Sequence, residues 1–184
     1  VVRAICAESR VNFHRVKTSD VGRMILAVGQ ISKAPIYIER ASGFSVGQIK
    51  AVARRLHKKH NIQLIAIDYL QMLSGTGDNK EQEVSSISKG VKSLAMELDI
   101  PILLLSQVNK DGETKYAKAA TEDTDSLWKL ENEGDWNPSV QPIKLTVEKC
   151  RDGATGTIGL TFLKEFTKFE SAARVSDKDV PGEK

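Results

Sequence analysis

Leu64-Ile65-Ala66-Ile67-Asp68-Tyr69-Leu70-Gln71 and, one helical segment later, Ile102-Leu103-Leu104-Leu105-Ser106-Gln107 decide how this chain folds. Each is a short apolar run that ends in polar groups, the pattern of a strand buried on both faces. Between them, Glu81 to Leu98 carries Val84, Ile87, Val91, Leu94, Ala95 and Leu98 on one helical stripe, and Asp99 with Pro101 marks its end. Strand, helix, strand in this order calls for a right-handed parallel crossover. In open α/β sheets ligands gather beyond the carboxyl ends of the strands, so Asp68 and Gln107 are expected to face one crevice. The expected fold class is α/β, with a mostly parallel central sheet flanked by helices and an antiparallel hairpin near the C-terminus.

Working outward, Ser45-Val46-Gly47-Gln48 has the spacing of a capping box, and Val46, Ile49, Val52, Ala53 and Leu56 follow a helical period behind it. The opposite face carries Lys50, Arg54, Arg55, Lys58 and Lys59, which reads as a solvated surface rather than a nucleic-acid groove. His57 and His60 have no evident third ligand, so no metal site is expected there. Upstream, helices are expected at Val1 to Cys6 and Val21 to Ile31, and Pro35 leads into a short strand, Ile36-Tyr37-Ile38. The first helix has no capping residue ahead of it and reads as cut, which implies sequence upstream.

Ser74 to Lys80 is a flexible polar loop by its turn chemistry, and Val108 to Asp125 dissolves into a second mobile loop with Lys110, Lys115 and Lys118. Ser126 to Leu130 is a plausible short strand, and Gly134 to Pro138 a turn. Ile143, Leu145 and Val147 alternate with Lys144, Thr146 and Glu148 as in a half-buried strand. Arg151 to Gly156 then turns the chain into Thr157 to Leu163, making the hairpin. Beyond Glu170 the pattern fades into a frayed tail.

Composition sets limits on function. The 184 residues, 40% of them hydrophobic, suffice for a real core. No apolar run approaches the roughly 20 residues that cross a bilayer, and the N-terminus lacks a signal-peptide layout, so no membrane is expected and the protein reads as cytoplasmic. Cys6 and Cys150 lie far apart without CxxC spacing and read as buried thiols. A net charge of +3, from 27 basic against 24 acidic residues, leaves any nucleic-acid binding to local clusters.

The candidate site residues each have a plain reading as well. A carboxylate after four apolar residues can simply cap a turn. Two neighbouring strand ends bearing Asp68 and Ser106-Gln107 suit a phosphate site better than two coincidental turns. Arg151 sits in a turn that Asp152-Gly153 explains, and a solvated arginine needs no purpose there. With Lys149 at spacing i, i+2 both cations would point one way, and such a pair could reach a neighbouring subunit's nucleotide. No GxxxxGK[ST] match exists between Val1 and Lys184, so the chain is expected to bind ATP poorly or not at all.

Taken together, these residues resemble the DnaB-type replicative DNA helicases, whose C-terminal motor is RecA-like. The resemblance runs from Val1 to Glu170 and rests on Pro35-Ile36-Tyr37-Ile38, Ala53-Arg54-Arg55-Leu56, Ile67-Asp68-Tyr69-Leu70-Gln71 and Leu94-Ala95-Met96-Glu97-Leu98. It continues through Leu104-Leu105-Ser106-Gln107-Val108-Asn109 and Glu148-Lys149-Cys150-Arg151-Asp152-Gly153-Ala154-Thr155-Gly156. It implies a homo-oligomeric ring, usually a hexamer, that moves on single-stranded DNA while hydrolysing ATP or another NTP with Mg²⁺ at subunit interfaces, with primase or a helicase loader as further partners. By position, Asp68 resembles the Walker B carboxylate that holds Mg²⁺, and Gln107 the glutamine that couples the γ-phosphate to the DNA-facing loop. Lys149 and Arg151 match the trans-acting lysine and arginine finger. Lys80, Lys110, Lys115 and Lys118 correspond to the loops facing the central channel.

The sequence departs from the family pattern in two places. The P-loop and the catalytic glutamate precede the position matching Val1, so residues 1–170 are expected to be the downstream part of the motor, followed by a flexible tail at 171–184. The second channel loop reads Lys115 to Asp125 where many members carry Arg-Glu-Ser-Gly before two aspartates. The rival readings are a RecA-like module that no longer hydrolyses nucleotide and serves assembly or DNA binding, and a recombinase or circadian-type RecA-like ATPase.

Overall fold

The computed structural model describes residues 1–107, 121–135 and 137–172. In chain order its elements are α1 (Val2–Ser9), α2 (Val21–Lys33), α3 (Val46–His60), β1 (Ile65–Ile67), α4 (Lys80–Leu98), β2 (Ile102–Leu104), β3 (Ser126–Asn132), β4 (Val140–Cys150), β5 (Gly156–Leu163) and β6 (Lys168–Ser171). They form two compact units, one of residues 36–125 and one of residues 1–35 with 126–184.

In the unit of residues 36–125, β1 and β2 pair in parallel, with Ile65 opposite Ile102 and Ile67 opposite Leu104. This is the crossover that the two apolar runs and the α4 stripe predict. Val84, Ile87, Val91 and Leu94 of α4 are buried against Ile49 and Ala53 of α3 and Ile67, Leu70 and Leu73 of the first strand and its exit. Gly90 permits the close approach of the two helices, since a Cβ there would lie 2.3 Å from Val46 Cγ1. The α3 start follows its sequence signature: Ser45 Oγ accepts from the Gln48 N–H, and Gln48 Oε1 accepts from the Ser45 N–H. His57 Nδ1 lies 3.1 Å from the Ile62 carbonyl, and the α3 basic face is engaged by carboxylates, Arg54 with Glu97 and Arg55 with Glu39.

Two expectations for this unit are corrected. Ile36-Tyr37-Ile38 forms no strand. Its apolar, β-branched composition favours extended backbone, but a strand also needs a neighbour, and none pairs with it among the described residues. Ile36 and Ile38 are 64% and 75% exposed, and the Tyr37 ring stacks on His60 instead. Lys80 belongs to α4, as its first residue, rather than to the loop before it. Asn79 caps that helix, and the polar loop is tied down: Glu83 accepts from the Gly75 N–H, Ser86 Oγ from Thr76, and Gln82 from Asp78.

In the other unit, β3 to β6 form an antiparallel sheet in the order β3-β4-β5-β6, and α1 packs on α2. The expected hairpin is its centre, with Leu145 opposite Ile158 and Ile143 opposite Leu160. The flanking strands extend it. β3 reaches Asn132, and β6 runs one residue past Glu170, beyond which the sequence pattern fades. Ser171 is therefore in a strand rather than at the start of a tail; residues 173–184 lie outside the described residues. Trp128, Leu130, Ile158 and Phe169 share one sheet face by the strand register and are exposed.

The β3–β4 register shifts between Leu127 and Trp128. Leu127 faces Lys149 while Trp128 faces Val147, and Glu148 is the extra residue of a bulge. Successive residues of β3 point to opposite faces, so Lys149 lies on the face of Leu127 and Lys129, opposite to Val147.

Candidate functional site

Asp68 leaves β1 at its carboxyl end, through a cis Asp68–Tyr69 peptide, and its side chain is exposed. Gln107 lies three residues beyond the end of β2 and is exposed as well. Because Ile67 stands opposite Leu104, the two residues emerge from the same end of adjacent parallel strands.

The chain is held well past the last paired residues. Leu105 donates its N–H to the Ile67 carbonyl at 3.0 Å, and Leu70 donates to the Leu105 carbonyl at 2.8 Å. A 3-10 turn, Leu70–Met72, follows, and Leu70 and Leu73 on either side of Gln71 are buried in the core. The Gln71 side chain points back to the other strand exit. Its Nε2 donates to Ser106 Oγ at 3.0 Å and to the Gln107 carbonyl at 3.2 Å, while its Oε1 accepts the Gln107 N–H at 3.3 Å. The backbone of Gln107 is thus fixed. Among the described residues no hydrogen bond or ion pair engages the Asp68 carboxylate or the Gln107 side-chain amide.

Gln71 was visible in the sequence as part of Asp68-Tyr69-Leu70-Gln71, but strand-end logic selects only the residues that face a ligand. A contact that links two strand exits 36 positions apart has no signature in a single sequence.

The donor set bears on which metal would fit. Asp68 offers one open carboxylate, and among the described residues no three or more His, Cys, Asp or Glu side chains come together. That suits Mg²⁺, which is held through one or two carboxylates, water and substrate phosphates, rather than a cation that needs a full protein cage. Asp68 could supply one such carboxylate, and Gln107 an amide, from neighbouring strand exits. The phosphate-cradling loop has no match in residues 1–184.

In the other unit, Lys149 is half-buried in β4 and Arg151 is exposed in the bend after the strand ends at Cys150. Strand alternation therefore does not carry through to Arg151, and the turn rather than the pleat sets its direction. Of the four lysines expected in channel loops, Lys80 is described. It pairs with Glu83 at 2.6 Å, and this ion pair, with the Gly75 N–H, holds the Glu83 carboxyl below its usual value. Lys110, Lys115 and Lys118 lie outside the described residues.

Residues 1–171 match the DnaB-like helicase C-terminal domain profile. This chain belongs to the DnaB-like helicase C-terminal domain family. It is 33% identical over 204 residues to the replicative DNA helicase DnaC of Bacillus subtilis (strain 168), a match covering 98% of this chain and 45% of that protein. To the replicative DNA helicase DnaB of Geobacillus stearothermophilus it is 33% identical over 200 residues, covering 97% of this chain and 44% of the relative. The chain thus spans less than half the length of these relatives.

Solved structures agree on the fold. A DnaB-like replicative helicase, described with its interactions with primase, superposes with a TM-score of 0.78 at 25% identity, covering 91% of this chain and 46% of that one. A second solved structure, of an ATPase domain, superposes with a TM-score of 0.77 at 26% identity, covering 92% of this chain and 68% of that one. The α/β architecture is therefore that of the RecA-like ATPase domains of DnaB-family helicases, as the strand-end pattern led one to expect.

Proposed function

We propose that residues 1–170 form the downstream part of a replicative helicase motor, which couples NTP hydrolysis at subunit interfaces to movement on single-stranded DNA and duplex separation. The residues after Ser171 would follow as a tail. The observation that carries this reading is the pair of polar groups, the Asp68 carboxylate and the Gln107 amide, left uncommitted among the described residues at neighbouring strand exits in a chain of the DnaB-like family.

In the intact protein, NTP with Mg²⁺ supplies the phosphoanhydride whose cleavage drives the cycle. Asp68 would hold the metal. Gln107 donates its amide towards the terminal phosphate and changes partner when that phosphate leaves. Lys149 and Arg151 of one subunit reach the nucleotide of the next and offset charge on the transferring phosphoryl group, the work an arginine finger does in other NTPases. Lys110, Lys115 and Lys118, together with Lys80 once it parts from Glu83, contact DNA phosphates in a sequence-independent way. Oligomerisation into a hexameric ring and contact with a primase or loader extend this reading from the relatives.

A second reading is a module that assembles or binds DNA without hydrolysing nucleotide. Steady-state hydrolysis by the intact protein that contains this chain separates the two. Robust NTP turnover that Asp68→Asn abolishes supports the motor; no turnover, with DNA binding intact, supports the module.

A further inference from the structure

We infer that Gln71 is a positioning residue that sets the Gln107 side chain relative to Asp68; the inference rests on the role proposed above for Gln107. Parallel pairing of β1 and β2 ends at Ile67 and Leu104, and beyond that point nothing in strand geometry keeps the two exits in register. Gln71 does so with a side chain. Its planar amide presents one acceptor and one donor edge to Gln107, as a peptide group of a neighbouring strand would, and a further bond reaches Ser106 Oγ.

The base of this clamp is rigid. Leu70 and Leu73 are buried on either side of it, Gly43 donates to the Met72 carbonyl at 2.8 Å, and Ser74 donates to the Phe44 carbonyl at 2.9 Å. A residue that senses a phosphate must begin its motion from a fixed origin, and Gln107 lies three residues beyond a strand that is itself only three residues long. Holding both its N–H and its carbonyl leaves the side chain as the free part. Gln71 touches no reacting atom in this account and acts through Gln107 alone.

The alternative is that Gln71 only tethers an exposed loop, in which case its loss would lower stability slightly and leave the chemistry untouched. The test uses the intact protein and Gln71→Met, which keeps the shape and removes the hydrogen bonds. Steady-state ATP hydrolysis with single-stranded DNA should show kcat falling about ten- to a hundredfold while KM for ATP moves by less than about twofold, the scale of a misplaced catalytic group. In a Gln107→Ala background the same substitution should change nothing further, because a residue that acts only through a partner has no effect once the partner is gone.

An unchanged kcat for Gln71→Met, or a loss that persists undiminished in Gln107→Ala, overturns the inference. A Gln107→Ala protein that hydrolyses normally overturns the proposed role of Gln107 itself, and the inference with it. Should Gln71→Met fold poorly, Gln71→Glu takes its place. It keeps an acceptor for the Gln107 N–H but loses both donors, and the same insensitivity in Gln107→Ala is required of it.

Discussion

Gln71 and Gln107 form a closed reciprocal pair, side-chain amide to backbone, at 3.2 and 3.3 Å across the exits of two parallel strands. With the Leu105 to Ile67 and Leu70 to Leu105 bonds, it continues the β1–β2 seam after both strands have ended. The side chains of Asp68 and Gln107 are then presented from a fixed frame with no partner of their own among the described residues. Polar groups held in place yet left uncommitted are what a site for an anionic, metal-bound ligand requires.

On the role proposed for it, Asp68 is expected to contribute to chemistry rather than to stability. In the intact protein Asp68→Asn should cut Mg²⁺-dependent NTP turnover about a hundredfold or more, since one electrostatic group at the reacting phosphate is worth that much. Its melting temperature should stay within about a degree or two of the parent, as is usual for an exposed position without partners. Parallel kinetics and thermal unfolding check both halves, and a large drop in Tm with normal turnover would make Asp68 a structural cap.

Arg151 should behave as a group supplied to a neighbour. Arg151→Ala is expected to lower turnover by about 10³-fold with nucleotide affinity little changed, and Arg151→Lys should not restore it, because a lysine is a point charge rather than a planar fork. Mixing Arg151→Ala with Asp68→Asn subunits distinguishes trans from cis action. Mixed rings recover some turnover only if the two residues serve one site from different chains.

Lys115 and Lys118 are tested by salt. Replacing both by Ala should weaken single-stranded DNA binding for every sequence and flatten the dependence of log affinity on log salt by about 0.7 per lysine removed. A salt titration by fluorescence anisotropy measures the slope, and an unchanged slope would return both residues to the solvated surface.

The Glu83 carboxylate ties Lys80 and the Gly75 N–H together, and both interactions favour its charged form, so its pKa lies below the ordinary 4.5. A lowered folded-state pKa means stability that is present above the unfolded value and is lost as pH falls through the folded one. Glu83→Gln should accordingly be less stable than the parent at neutral pH, by about 1 kcal/mol or less for so exposed a pair, and the gap should narrow as pH falls below the ordinary 4.5. Thermal melts across that range decide it; a gap that widens in acid would mean the linkage has the opposite sign.

Gly90 offers a test of helix packing. Helix propensity alone predicts that Gly90→Ala stabilises α4 by about 1 kcal/mol. Its Cβ would meet Val46 Cγ1 at 2.3 Å, and overpacking of that kind costs about 1–3 kcal/mol, so the expected net effect is destabilising. Chemical denaturation of the single variant and of Gly90→Ala with Val46→Ala checks the cause, because the second change should return most of the loss.

Sequence alone determined what depends on neighbours a few positions apart. The α4 stripe from Val84 to Leu98, the Ser45-Gln48 capping box and the turn that joins β4 to β5 are all local patterns, and each stands in the structure as read. The parallel pairing of β1 with β2 was legible too, because a helix between two apolar runs leaves few other arrangements. What needed the tertiary structure is whatever depends on a distant partner. Ile36-Tyr37-Ile38 has the composition of a strand but no neighbour to pair with among the described residues, β6 has little pattern of its own and exists because β5 offers an edge, and the bulge at Glu148 moves Lys149 to the other face by a register that only β3 reveals. Gln71 belongs with these: local sequence places it three residues after Asp68, and only the folded chain brings its amide to Gln107. Backbone periodicity is written into adjacent residues, whereas hydrogen-bond partners across a sheet are chosen by the fold as a whole.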